Sequence, residues 1–116
     1  MTNMNSYTKF LNENSWKRNP EEVLQSLSNL IPNFMEASDR TVDREFKSLR
    51  DFVARNFDIG LDNVSILTKK EDQFKSDLED ILYENLDNYS DDVKSADKKT
   101  IEKTLKAFQQ MFKKYS

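Results

Sequence analysis

The residues with the types and spacing to do chemistry in this chain of 116 residues are carboxylates. The stretch 71–92, EDQFKSDLEDILYENLDNYSDD, carries nine of them and one lysine. Asp77, Asp80, Glu84, Asp87 and Asp91 follow one another at spacings of 3, 4, 3 and 4. On a helix that spacing makes one row about 21 Å long, at a rise of 1.5 Å per residue. A carboxylate pair such as Asp80 and Glu84 is the raw material of general acid–base catalysis or of a hard-cation site. The usual helpers for both are missing from the sequence. His is absent, which removes the usual base near neutral pH and the commonest metal ligand. Cys is absent too, so there is no thiol nucleophile, thiolate metal site or disulfide framework. Residues 87–98, DNYSDDVKSADK, alternate acidic groups as a calcium loop does. They place Asp92 at the sixth position, where such a loop needs Gly, and Lys98 at the twelfth, where it needs Glu. The expectation is a non-enzymatic protein with no catalytic residues, metal or cofactor.

If the carboxylates do no chemistry, they form a surface. Like charges at i, i+3 and i, i+4 each cost a few tenths of a kcal/mol. Such a row is either a solvated face or a face that something positive meets. The docking reading names Asp77, Asp80, Glu84, Asp87 and Asp91 as the contact set for a protein with a basic surface, a nucleic-acid-binding enzyme among the candidates. The C-terminal segment mirrors this arrangement with the opposite sign: Lys99, Lys103, Lys106 and Lys113 share a row with Gln110, and Lys114 lies close by. Both rows point away from their own apolar seams. Packing the two helices core to core therefore turns both outward, leaving only flanking residues such as Lys98 or Asp72 to meet. One acidic face and one basic face are expected.

Other charged and aromatic groups have two readings each. Asp43, Lys47, Asp51 and Arg55 alternate at i, i+4 and read as a ladder that satisfies itself. Trp16, in NSWKRNP beside Lys17 and Arg18, either covers one end of the core or serves as a binding hot spot. FQQMFKKY at 108–115 mixes aromatics with lysines as single-strand binders do, but Phe108, Phe112 and Tyr115 fall on the apolar seam. Asn85 projects near the apolar side of its helix, as a solvent-edge residue or a buried specificity device.

These side chains need helices to place them. One Gly and two Pro leave few sites for tight hairpins, and apolar residues recur at helical spacing nearly throughout. A short helix after Ser6 presents Tyr7, Phe10 and Leu11. NPEE at 19–22 opens a second, with Asn19 as cap and Pro20 at the first position, burying Val23, Leu24, Leu27, Leu30 and Ile31 until Pro32 stops or kinks it. A third starts between Ser38 and Thr41, shows Val42, Phe46, Leu49, Val53 and Phe57, and ends with Gly60 at the left-handed cap position. LDNVSIL is an apolar connector or a short turn of helix. TKKE at 68–71 reads as a capping box for a fourth helix that uses Phe74, Leu78, Ile81, Leu82 and Tyr89. A last helix starts near Ser95 or Asp97, with Ile101, Leu105, Phe108, Phe112 and Tyr115 at 4, 3, 4, 3 spacing. The expected fold is all-α: a compact bundle of four main helices plus a short N-terminal one, a single domain over 1–116 with residues 1–5 disordered.

The formal net charge of −3 lacks the basic excess of non-specific nucleic-acid binders. No apolar run approaches the roughly 20 residues that span a bilayer. The opening lacks the basic and apolar regions of a secretory signal. A soluble cytoplasmic protein with no membrane partner is expected. The opening MNSYTKFLNEN resembles the leaders of internal head proteins in large tailed phages, and LNE at 11–13 is similar to the hydrophobic-x-Glu site cut by their prohead protease. That resemblance implies a head-internal structural component processed after Glu13. In size and helical character the chain also resembles small bacterial immunity and phage anti-defence proteins, which implies an inhibitor that occludes a partner surface. The alternatives are nucleic-acid association through the lysine row and self-association.

Overall fold

The amide donors at a helix start need acceptors. Asn19 supplies one at the beginning of α1 (Pro20–Met35), its Oδ1 accepting from the Glu21 N–H at 2.8 Å. Pro20 occupies the position where a missing N–H costs nothing, and Glu21 and Glu22 face the positive end of the helix. The computed structural model describes residues 19–86, 93 and 96–116. The short first helix expected around Tyr7, Phe10 and Leu11, the disorder expected over residues 1–5, and Trp16 lie outside them.

Of the two outcomes expected at Pro32, a stop or a kink, the stop does not occur. The helix runs through it to Met35 and closes with the Glu36 N–H on the Pro32 carbonyl at 3.0 Å. The reason lies beyond the proline. Phe34 is fully buried, with its ring centroid 5.5 Å from that of Phe46 and 5.9 Å from that of Phe74. Burial of that size offsets one lost helical hydrogen bond.

Helix α2 (Val42–Phe57) buries Phe46, Leu49, Val53 and Phe57 as their spacing requires, and adds Phe52 and Asn56. Asn56 donates to the Phe52 carbonyl of its own helix at 3.0 Å. The helix ends on Asp58, the left-handed residue, with φ 59° and ψ 40°. Gly60, expected in that role, has no positive φ. Asp tolerates the left-handed region better than most residues, and the cap falls two residues earlier so that Ile59 and Leu61 can both turn into the core. A Cβ at Gly60 would meet nothing within 4 Å. Gly60→Ala should therefore be neutral or stabilising by about 0.4–1 kcal/mol, through a less flexible unfolded chain. Denaturant unfolding measures this, and a loss of stability would show that the position does need glycine.

The apolar connector is a helix of seven residues, α3 (Asn63–Lys69), capped by Asp62 through the Ser65 N–H at 3.2 Å. The capping box expected at 68–71 does not form. Thr68 lies inside α3, where its hydroxyl donates back to the Val64 carbonyl. Helix α4 (Glu71–Asn85) starts after Lys70, which makes no side-chain cap. It buries Phe74, Leu78 and Leu82, with Ile81 partly covered and Tyr89 outside the described residues. Asn85 is half-buried and donates to the Ile81 carbonyl one turn back at 2.8 Å, so its polarity is met within its own helix.

Helix α5 (Lys98–Lys114) begins at Asp97, whose carboxylate accepts from the Thr100 N–H at 2.7 Å. That bond holds the Asp97 carboxyl below its ordinary range. Ile101, Leu105, Phe108, Phe112 and Tyr115 are buried, with Thr104 and Met111 beside them. The described residues form an all-helical, compact molecule with no strand. None of its helices is long and apolar enough to cross a membrane.

Phe74 is the hub of the core. Its ring meets Phe34 of α1 at 5.9 Å, Phe46 of α2 at 5.8 Å, and Phe112 and Tyr115 of the α5 end at 6.4 and 5.0 Å. One side chain of α4 thereby sets the position of the acidic helix against three others.

Candidate docking surface

Helix α4 buries Phe74, Leu78 and Leu82, and so must turn the opposite arc to solvent. Asp72, Asp80 and Glu84 are exposed on that arc, together with Tyr83, which is 59% exposed. Neither Asp80 nor Glu84 forms an ion pair with a described cation. Asp87 and Asp91 lie outside the described residues. Glu71 is paired with Lys75 at 2.7 Å, one turn along the same helix, and the Lys75 ammonium lies 5.1 Å from the Phe34 ring centroid.

Asp77 stands apart from the rest of the row. Its side chain is only 17% exposed, and three donors converge on it. The Tyr115 hydroxyl donates to Oδ2 at 2.6 Å, Lys114 Nζ to the same oxygen at 3.0 Å, and Gln73 Nε2 to Oδ1 at 2.9 Å. Burial alone pushes the Asp77 carboxyl up. The bonds from Tyr115, Lys114 and Gln73 outweigh burial and hold it below its ordinary range. Burial and the facing carboxylate push the Tyr115 hydroxyl well above its ordinary value.

The expectation that α4 and α5 would meet only through flanking residues such as Lys98 or Asp72 is thus corrected. The contact runs through Asp77 of the row itself and Lys114, 37 residues apart. Tyr115 brings them together: its ring packs edge-on against Phe74, and its carbonyl accepts from the Asp62 N–H at 3.0 Å. Asp77 is the fixed end of the acidic face, and Asp80 and Glu84 are its free part.

On α5, Lys99, Lys103, Lys106 and Lys113 are all exposed, with Gln110 between them. None is ion-paired with a described carboxylate. The rings of FQQMFKKY are buried, so these three aromatics give the lysines no exposed ring. The ladder expected on α2 is not made as the i, i+4 rule suggests. Its ion pairs join neighbours in sequence, Arg44 with Glu45 at 3.3 Å and Arg50 with Asp51 at 3.5 Å.

Two of the open depressions among the described residues lie near these faces. One of about 550 Å³ lies where α3 meets α4, between Leu67 and Gln73. The other, about 360 Å³, lies between the starts of α1 and α5, beside Pro20 and Ile101. Among the described residues no three acidic side chains converge as a metal cage. No protein-family model, no curated protein and no solved structure matches the chain.

Proposed function

We propose that this protein is a non-enzymatic helical binding module that occludes a basic surface of a protein partner with the acidic face of α4. The scaffold in this reading is a bundle of four main helices with a short N-terminal helix. The single observation behind it is the contrast along one row: Asp77 is spent on holding α4 to α5, while Asp80 and Glu84 stand exposed with no cation among the described residues paired to them. Like charges left unpaired on a solvated helix cost stability, and a positive partner recovers that cost on binding. Asp87 and Asp91 keep the spacing in sequence, but α4 ends at Asn85 with Leu86 extended, so the helical row expected as far as Asp91 ends at Glu84. The role that fits is a small bacterial or phage inhibitor, immunity or anti-defence factor acting in the cytoplasm, with a nucleic-acid-binding enzyme as the kind of target whose basic cleft an acidic helix blocks.

The test is charge reversal. Asp80→Lys, Glu84→Lys and Asp87→Lys together should leave the helical signal and the cooperative melt intact. Capture of the partner from the source cell should fall at least tenfold. Asp43→Lys, on the exposed side of α2, shows what one such reversal away from the row does, and Asp80→Lys alone is its matched counterpart. Unchanged capture by the triple variant would reduce the row to a solvated face.

A second reading takes the lysine row as a nucleic-acid contact, because Lys99, Lys103, Lys106 and Lys113 are exposed and paired with no described carboxylate. Four lysines neutralise only a few phosphates, so binding would be weak and steeply salt-dependent. With Phe108 and Phe112 buried, base stacking has no platform on that side.

A further inference from the structure

The lysine face of α5 is unpartnered among the described residues, and its complement is in the same sequence. Lys99, Lys103 and Lys106 are spaced 4 then 3. Asp77, Asp80 and Glu84 are spaced 3 then 4. Laid antiparallel, the two rows have the same pitch over about 10.5 Å at 1.5 Å per residue, with Asp80 and Glu84 the free members and Asp77 held by Lys114 and Tyr115 of its own chain. Within one molecule they stay apart. The contact made between charges of α4 and α5 is Lys114 with Asp77, and Asp80, Glu84 and the lysine row remain exposed.

We infer that the occupant of the lysine face is a second copy of this chain, with Lys103 and Lys99 of one copy set against Asp80 and Glu84 of the next. Such a contact joins two different faces, so each added copy leaves one acidic and one basic face open. The product is an open chain, or a ring where the rotation between successive copies closes. Exposed ion pairs are individually weak and screened by salt, so the assembly forms at high protein concentration and low ionic strength. The inference shares the acidic face with the proposed partner contact and needs no partner to be known. A strict monomer overturns it and leaves the partner contact standing.

The experiment uses the full chain alone, in sedimentation velocity and light scattering across a wide concentration range. At low salt the weight-average mass of the parent should rise with concentration beyond twice the monomer. At about 0.5 M salt, where the screening length is only a few ångströms, the association should weaken at least tenfold. A variant with Lys99→Glu, Lys103→Glu and Lys106→Glu should be monomeric, as should one with Asp80→Lys and Glu84→Lys. An equimolar mixture of the two should associate again, because each supplies the charge the other has lost. Lys99→Gln, Lys103→Gln and Lys106→Gln should also weaken association, without introducing new repulsion. Circular dichroism checks that every variant keeps the parent's helix. A parent that stays monomeric at low salt overturns the proposal, as does a mixture that fails to recover association. Loss of short-duplex binding in the lysine variant, with the parent alone monomeric, would assign the face to a polyanion instead.

Discussion

Phe74→Ala should destabilise the fold by about 3–5 kcal/mol, among the largest losses any single truncation here can give. Phe74 is fully buried, and its ring centroid lies 5.0 to 6.4 Å from those of Phe34, Phe46, Phe112 and Tyr115. Truncation therefore opens a cavity that borders three other helices. None of them can close it without giving up its packing on the others. Denaturant unfolding followed by circular dichroism should show a lower midpoint with an unchanged slope. A loss below about 1.5 kcal/mol would mean that the four rings repack around the gap and that Phe74 is not the hub.

Asp77→Ala should cost about 2–3 kcal/mol, a large effect for a charge near the surface. The substitution leaves the Tyr115 hydroxyl, already shielded by its packing on Phe74, without its acceptor, and it frees Lys114 and Gln73. The pH dependence separates this bond network from ordinary surface charge. The folded Asp77 carboxyl titrates below its ordinary 3.8, so its contribution is present above that value and disappears as pH falls through the folded one. The folded Tyr115 hydroxyl titrates above its ordinary 10.0, so its contribution is present below that value and is lost as pH rises toward the folded one. The stability difference between parent and Asp77→Ala should be flat from about pH 5 to 9 and shrink on both sides. Tyr115→Phe should remove the alkaline limb and part of the acid one. A difference that does not vary with pH would place the cost in packing alone.

Much of the helical architecture is legible in the sequence because the apolar spacing and the caps agree. In α5, Asp97 caps a helix whose seam runs at 4, 3, 4, 3 through Ile101, Leu105, Phe108, Phe112 and Tyr115. Asn19 and Pro20 announce α1 in the same way. Local signals misled where a tertiary contact overrode them. Pro32 reads as a stop or a kink, and the burial of Phe34 carries the helix past it without a stop. Gly60 reads as the left-handed cap, but Ile59 and Leu61 must both reach the core, which moves that conformation back to Asp58. Thr68 and Glu71 have the spacing of a capping box, but the apolar Ile66 is buried as part of a separate short helix that takes in Thr68.

The candidate surface divides along the same line. The outward placement of the lysine row, Asp80 and Glu84 follows from helical periodicity alone. The bond from Lys114 and Tyr115 to Asp77 spans 37 and 38 residues, and no local pattern signals it. One clue lay in the sequence: a tyrosine at the end of a buried seam needs an acceptor for its hydroxyl. The acidic row opposite held the candidates.

Whether the free part of the acidic row steers a basic partner is tested most directly by the association rate. The rate constant for the captured partner should be measured against ionic strength, for the parent and for Asp80→Lys, Glu84→Lys. Electrostatic docking predicts a parent rate that falls about tenfold or more from low salt to 0.5 M. The reversed variant should already be slow at low salt and nearly indifferent to added salt, with a dissociation rate close to the parent's. Equal association rates for parent and variant at low salt, with the same salt dependence, would contradict the account.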